Sequence, residues 1–271
     1  MLGARLLGVL TAATAGAGTV YLTSSQQSAD ASGGDVCPPP VFPWSHKHPW
    51  QTYDRASVRR GYEVYKASCA SCHSLEHLHY RSLVGEVLTE EEAKAEAAEI
   101  EVRDGPNEDG EMYDRPGKLT DPLPRPYPNE NAARSANNNA YPPDLSLIVQ
   151  ARVHGNDYLF ALLTGYKAPP AGMVLGANMS YNPYFANGQI GMAQALKPGI
   201  LDYEDGTEAT ISQMAKDVST FLCWAAKPEQ DERHKMGVKA VLLFALMAIP
   251  SLYWKRIKWS VPKSRQIRIR K

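Results

Sequence analysis

Cysteine is scarce in this chain: 271 residues contain four. Two of them, Cys37 and Cys223, stand alone, so no second close-spaced pair exists to complete a tetrahedral zinc site. A bridge between them has no paired spacing behind it, and two thiols are the expected state. Nothing in the sequence forms a nucleophile and base set, a phosphate-cradling glycine loop or a face for nucleic acid. Acidic residues are missing where basic ones are dense: residues 255–271 hold eight basic side chains and no acidic one, whereas 86–114 hold twelve acidic side chains against Lys94 and Arg103. The formal net charge of +0 therefore conceals an acidic body and a basic tail.

What is present is concentrated at Cys69-Ala-Ser-Cys72-His73. Two thiols two residues apart can add to the two vinyl groups of one porphyrin, and the next residue offers an imidazole to the iron, so the run is the attachment signature of c-type haem. The expected cofactor is one haem c held through two thioethers, with His73 as a metal ligand. A zinc site or redox dithiol is the alternative for the Cys-x-x-Cys pair, but neither explains the histidine beside it. A methionine sulfur is a natural second axial ligand. Met1, Met236 and Met247 fall in leader or membrane stretches, Met112 in the acidic region and Met214 on a closing helix, which leaves Met173, Met179 and Met192. The remaining histidines, His46, His48, His77, His79, His154 and His234, read as ordinary positions.

Residues 238–254 form an apolar run interrupted by Lys239 and Pro250, with Tyr253 and Trp254 as interfacial anchors and Lys255, Arg256 and Lys258 directly after. The excess of positive charge places the tail in the matrix or cytoplasm and the body opposite. Residues 2–22 are a second apolar stretch, read as a sorting signal cleaved near 29–34. The expected organisation is a leader (1–34), a haem domain (35–233), a transmembrane anchor (234–257) and a basic tail (258–271).

The body reads as mainly α with long loops. Asp54 is placed to cap a helix with Val58, Gly61, Tyr62 and Tyr65 on one face, running into the haem motif. Thr207 is expected to open a closing helix bearing Ile211, Met214, Ala215, Val218, Leu222 and Ala225, ended by Pro228 and the charged run to Lys235. Residues 89–101 read as an exposed acidic helix followed by a turn at Asp104-Gly105-Pro106. The segment 116–143 is dense in proline and asparagine and is read as an ordered haem cover rather than disorder. Two terminal helices framing a haem motif define a class I c-type cytochrome domain, here with long loop insertions and one C-terminal transmembrane helix.

Several segments resemble the cytochrome c1 family: Pro43-Trp44-Ser45-His46, Ser57-Val58-Arg59-Arg60-Gly61, Asp104-Gly105-Pro106-Asn107, Arg115-Pro116-Gly117-Lys118-Leu119, Tyr141-Pro142-Pro143-Asp144-Leu145-Ser146, Leu163-Thr164-Gly165-Tyr166, Asn182-Pro183-Tyr184, Ile190-Gly191-Met192-Ala193 and Lys258-Trp259-Ser260. The resemblance implies that Met192 is the second ligand and that Arg152 serves a haem propionate. It implies that Asn137, Pro142 and Pro143 line the pocket, a proline carbonyl orienting His73. The family commonly carries a Pro-Pro pair where this chain has Gln194-Ala195, which implies a less rigid ligand loop.

Further implications concern function. The family relays one electron from the Rieske iron-sulfur protein to soluble cytochrome c, beside cytochrome b and the other subunits of quinol-cytochrome c oxidoreductase (complex III). Such a chain has no catalytic site of its own and acts as the electron-transfer subunit of that enzyme. It is anchored once in the mitochondrial inner membrane with the haem domain in the intermembrane space and the C-terminus in the matrix. A c-type haem subunit of another respiratory assembly is the rival reading.

Overall fold

The computed structural model describes residues 36–48 and 50–265. The expected leader and the end of the basic tail lie outside the described residues. The chain divides into two compact units: Arg55–Ala226 with the residues up to Phe42, and Pro43–Asp54 with Lys227–Lys271.

In the first unit, α1 spans Arg55–Val64 and begins directly after Asp54, with Val58, Gly61, Tyr62 and Val64 buried. The chain then widens into a π-helical turn over Tyr65–Cys69, where the Ala70 N–H donates to the Tyr65 carbonyl at 2.9 Å. Wider winding of this kind recurs at functional sites, and here it ends on the first cysteine of the motif. A short α2 (Tyr80–Leu83) and α3 (Glu90–Ala98) follow. Thr89 and Glu92 cap α3 reciprocally, at 3.2 and 2.8 Å, while Ala93 and Ala97 bury its inner face. The expected helix is therefore present, but one side of it is packed.

A hairpin comes next, β1 (Glu101–Asp104) pairing antiparallel with β2 (Tyr113–Pro116). Neither strand shows a clean apolar alternation, so nothing in the local sequence announced it. The anticipated turn at Asp104-Gly105-Pro106 opens its connecting loop. Within the proline-rich segment, Asn129 caps α4 (Glu130–Ala136) through the Ala132 N–H at 2.9 Å. Then come α5 (Asn156–Thr164), a second small antiparallel pair of β3 (Ser180–Tyr181) and β4 (Gln189–Ile190), and α6 (Ile211–Ala226).

The opening of α6 corrects the sequence reading. Thr210, rather than Thr207, receives the Gln213 N–H on its hydroxyl at 3.2 Å. Thr207 instead gives its own N–H to the Asp205 carboxylate at 2.9 Å, an Asx turn that spends the residue on a bend before the helix.

The core is the crossing of α1 and α6. A Cβ on Gly61 would collide with the Asp217 carbonyl oxygen and lie 2.6 Å from the Phe221 Cβ, so the two backbones touch where a side chain is absent. Around the contact Tyr62 packs against Phe221 with tilted rings at 5.5 Å, and Phe221 stacks on Trp224 at 5.9 Å. Beside them the Asp217 side chain is 0% exposed and ion-paired to Arg60 at 2.9 Å. It also accepts from Ser57 Oγ at 2.5 Å and Gln213 Nε2 at 2.8 Å. Each of its lone pairs is used, the condition under which a buried carboxylate is tolerated. Cys223 is buried on the same helix and Cys37 is exposed; neither is in a disulfide.

In the second unit, α7 spans Gln230–Ser264 and is, among the described residues, the one helix long and apolar enough to cross a membrane. Its 35 residues extend about 52 Å, against a hydrocarbon core of about 30 Å. The charged run to Lys235 does not close α6, as expected from sequence, but forms the first turns of α7. Pro250 lies inside the helix, and the next residue, Ser251, returns its hydroxyl to the Met247 carbonyl at 2.8 Å. The segment Pro43–Asp54 wraps the start of this helix: Tyr53 N–H donates to Asp231 at 3.2 Å and Gln230 Nε2 to the His46 carbonyl at 2.7 Å. The His46 ring packs between Trp44 and Tyr53, centroids 5.7 and 5.1 Å away, a structural rather than a ligand role.

Gly61→Ala inserts a methyl group where backbone already fills the space. The expected outcome is a loss of about 2 kcal/mol or more of stability, read as a lower denaturant midpoint. An unchanged midpoint would contradict the close crossing.

Candidate functional site

The π-helical turn delivers the motif in a fixed order. Cys69 is buried at its end, and the Cys72 and His73 amides both fold back onto the Cys69 carbonyl, at 3.1 and 2.9 Å. The two sulfurs thus sit on one tight bend. Burial pushes the Cys69 thiol up to about 12, with Cys72 adding to the effect, so this sulfur is held as a neutral thiol.

His73 points its Nδ1 at the Pro143 carbonyl, 2.8 Å away. Burial lowers its pKa, partly opposed by that hydrogen bond, so the ring is neutral. A proton held on Nδ1 by a carbonyl leaves the lone pair on Nε2, the atom an axial ligand offers. Tyr65, the first residue of the π-helical turn, donates its hydroxyl to the His73 carbonyl at 3.0 Å.

The proline carbonyl is itself held by a clasp between 73–77 and 143–146. The Asp144 carboxylate accepts from Ser74 Oγ at 2.9 Å, from the Glu76 N–H at 2.8 Å and from the Ser146 N–H at 2.9 Å. The Leu145 N–H donates to the Ser74 carbonyl at 2.9 Å and the His77 N–H to Ser146 Oγ at 3.1 Å. Burial pushes the Asp144 pKa up, but these donors outweigh it and hold the carboxyl below its ordinary value.

Asn137 ends α4 and donates to the Tyr127 hydroxyl at 3.0 Å; Tyr127 in turn reaches the Cys72 sulfur at 3.9 Å. The proline-rich segment therefore does lie over the motif. On the other side, Tyr166 donates its hydroxyl to the Met192 carbonyl at 3.1 Å, and Ser68 Oγ donates to the Ala195 carbonyl at 3.1 Å. Arg152 is exposed and bonded to the Ala151 carbonyl at 3.1 Å. It also lies beside the Tyr158 hydroxyl.

The donor set fits a porphyrin that two sulfurs and one imidazole would hold. Zinc fits poorly: among the described residues no group of three or more His, Cys, Asp and Glu is arranged for a metal ion. A cavity of about 550 Å³ lined by Tyr62, Tyr65, Lys66 and Glu96 adjoins the same turn but contains neither thiol nor His73, so the site rests on its donors and not on that cleft. Sequence reading missed Ser68 and Tyr127, and it named Tyr65 on a helix face and Tyr166 within a motif without seeing their backbone-directed contacts. It quoted Asp144 as part of a motif without seeing its role.

Comparison with known proteins agrees with this chemistry. A family model described as the Cytochrome C1 family matches residues 44–261. The chain is 54% identical over 263 residues to "Cytochrome c1 2, heme protein, mitochondrial" of Arabidopsis thaliana, covering 96% of this chain and 85% of that protein. It is 53% identical over 228 residues to "Cytochrome c1, heme protein, mitochondrial" of Saccharomyces cerevisiae, covering 84% and 74%. The same identity over 231 residues relates it to "Cytochrome b-c1 complex catalytic subunit, mitochondrial" of Candida albicans, covering 85% and 80%.

Asp144→Ala removes the acceptor for three donors of the clasp. It is expected to cost on the order of 2 kcal/mol in chemical denaturation, with Asp144→Asn intermediate because one carbonyl oxygen remains. Equal stability of all three forms would show that the clasp does not hold the Pro143 carbonyl.

Proposed function

The chain belongs to the cytochrome c1 family, and from that membership we propose that it is a one-electron carrier within a quinol-cytochrome c oxidoreductase, taking electrons from a Rieske iron-sulfur protein and passing them to soluble cytochrome c. The observation that carries the reading is the pairing of two sulfurs on one bend with a neutral imidazole whose Nδ1 is already bonded to a carbonyl. Bound haem c supplies the redox change, its iron alternating between two oxidation states without bond making.

In this reading Cys69 and Cys72 would supply the thioether sulfurs, and His73 and Met192 would be the residues that hold the iron. Pro143 fixes the tautomer of His73. A neutral thioether favours reduced iron and keeps the potential high. Asn137 and Pro142 shape the wall beside Cys72 and His73, and Arg152 offers a guanidinium to a propionate.

Cytochrome b and the other complex III subunits are the proposed neighbours in the inner membrane. The span is assigned to 234–257, with 35–233 in the intermembrane space and the basic residues 258–271 in the matrix. Soluble cytochromes c are typically basic, and the acidic region 86–114 would steer them. Within it Glu92 is tied to Arg59 and to the cap of α3, whereas Glu108, Asp109 and Glu111 are exposed on a loop organised by the Asn107 side chain. Glu204 and Asp205, nearer the ligand loop, are paired with Arg59 and Arg60 at 3.2 and 2.7 Å. The hairpin loop is thus the stronger docking candidate.

Met192→Leu is expected to keep covalent haem while lowering the reduction potential and abolishing the sulfur-to-iron absorption band; a variant retaining both would exclude Met192 as ligand. Turnover with cytochrome c is expected to fall at high ionic strength, where the Debye length shrinks to about 3 Å at 1 M salt. Replacing Glu108, Asp109 and Glu111 by their amides should flatten that salt profile. A profile identical to wild type would move docking to another acidic face.

A further inference from the structure

We propose that Ser68 is a positioning residue for Met192, its hydroxyl latching the ligand loop to the turn that carries the thiols. The inference rests on the reading of Met192 as axial ligand and asks what keeps its loop in place. Upstream the loop is well held. Ile190 is buried at the end of β4, a Cβ on Gly191 would stand 3.2 Å from the Ala140 Cβ, and Tyr166 holds the Met192 carbonyl at 3.1 Å. Downstream, Leu196 is wholly buried.

Between these anchors the chain has Ala193, Gln194 and Ala195, the first two exposed. Two consecutive prolines would fix φ at two positions here; Gln194-Ala195 fixes none. The restraint comes instead from outside the loop. Ser68 Oγ donates to the Ala195 carbonyl at 3.1 Å across 127 residues of sequence, and Gln194 Nε2 closes a local turn on the Leu196 carbonyl at 3.2 Å. Ser68 immediately precedes Cys69 on the π-helical turn. One rigid element therefore holds both the covalent attachment point and, three residues past Met192, the loop that brings in the sulfur. A ligand on a loop binds in proportion to the fraction of time the loop is in place, so a latch raises the occupancy of the sulfur without touching it.

The test uses the haem-loaded full-length chain in its purified membrane complex, oxidised, with imidazole titrated as a competitor for the methionine position and the sulfur-to-iron band as a second readout. Loss of one neutral hydrogen bond, about 1 kcal/mol, predicts about fivefold tighter apparent imidazole binding in Ser68→Ala and a weakened band. Ser68→Thr keeps the hydroxyl and should titrate as wild type. Ala195→Pro added to Ser68→Ala should restore both readouts by stiffening the loop directly. Should Ser68→Ala fail to accumulate, Ala195→Pro alone must leave imidazole binding no tighter than wild type; tighter binding overturns the proposal. Wild-type titration by Ser68→Ala, with the band absent in Met192→Leu, overturns the latch and leaves the ligand assignment standing. A band that survives in Met192→Leu removes the ligand assignment and the latch with it.

Discussion

A carboxylate enclosed on all sides, Asp217, organises the middle of this molecule. A buried charge left short of partners is strongly destabilising, so the helices that surround it have little freedom in how they approach. Ser57 and Arg60 of α1 and Gln213 of α6 supply its donors, which sets the register of the two helices against each other. Gly61 then allows the backbones to meet. Arg60 continues to Asp205, and its neighbour Arg59 bridges Glu92 on α3 and Glu204. One pair of arginines thereby ties α3, the segment before α6 and the crossing itself to a single face of α1.

The site hangs from the far end of that same helix. Because α1 runs without a break into the π-helical turn, the position of the thiols follows from the crossing. The orientation of the imidazole follows from a different set of contacts, those of Asp144 with 74–76. The two sets are separate in sequence: the first locates the thiols, the second orients the ring and, through the Pro143 carbonyl, fixes its Nδ1–H tautomer. With His73 as the proposed iron ligand, a support that does not depend on the surface loops between would hold it to the precision such a ligand needs.

The helices and the tight bend of Cys69-x-x-Cys72-His73 were legible because their signals are local. Val58, Gly61 and Tyr62 recur at helical spacing, and Cys69, Cys72 and His73 are adjacent. What stayed hidden depends on partners far along the chain or on backbone geometry. Asp217 reads as an ordinary polar position on α6 until Arg60 and Ser57 are brought to it. Thr207 reads as the opening of α6 until Asp205 captures its amide, and Thr210 caps the helix instead. The β1–β2 hairpin has two exposed strands without apolar alternation, so no pattern betrayed it. Ser68 and Tyr166 act on carbonyls, which any residue carries, and no side-chain motif can announce such a contact.

The enclosure of Cys69 imposes an order of events on how the molecule is made. Its sulfur is buried at the end of a helix that is locked by the crossing, and its acidity is suppressed by that burial. On the proposed reading, thioether formation needs this sulfur exposed to a vinyl group, so the pigment joins while α1 is still open and the finished fold seals the bond inside. Assembly is then one-way. Exchange of a damaged porphyrin would then be closed to the mature protein, and repair would mean replacing the whole polypeptide.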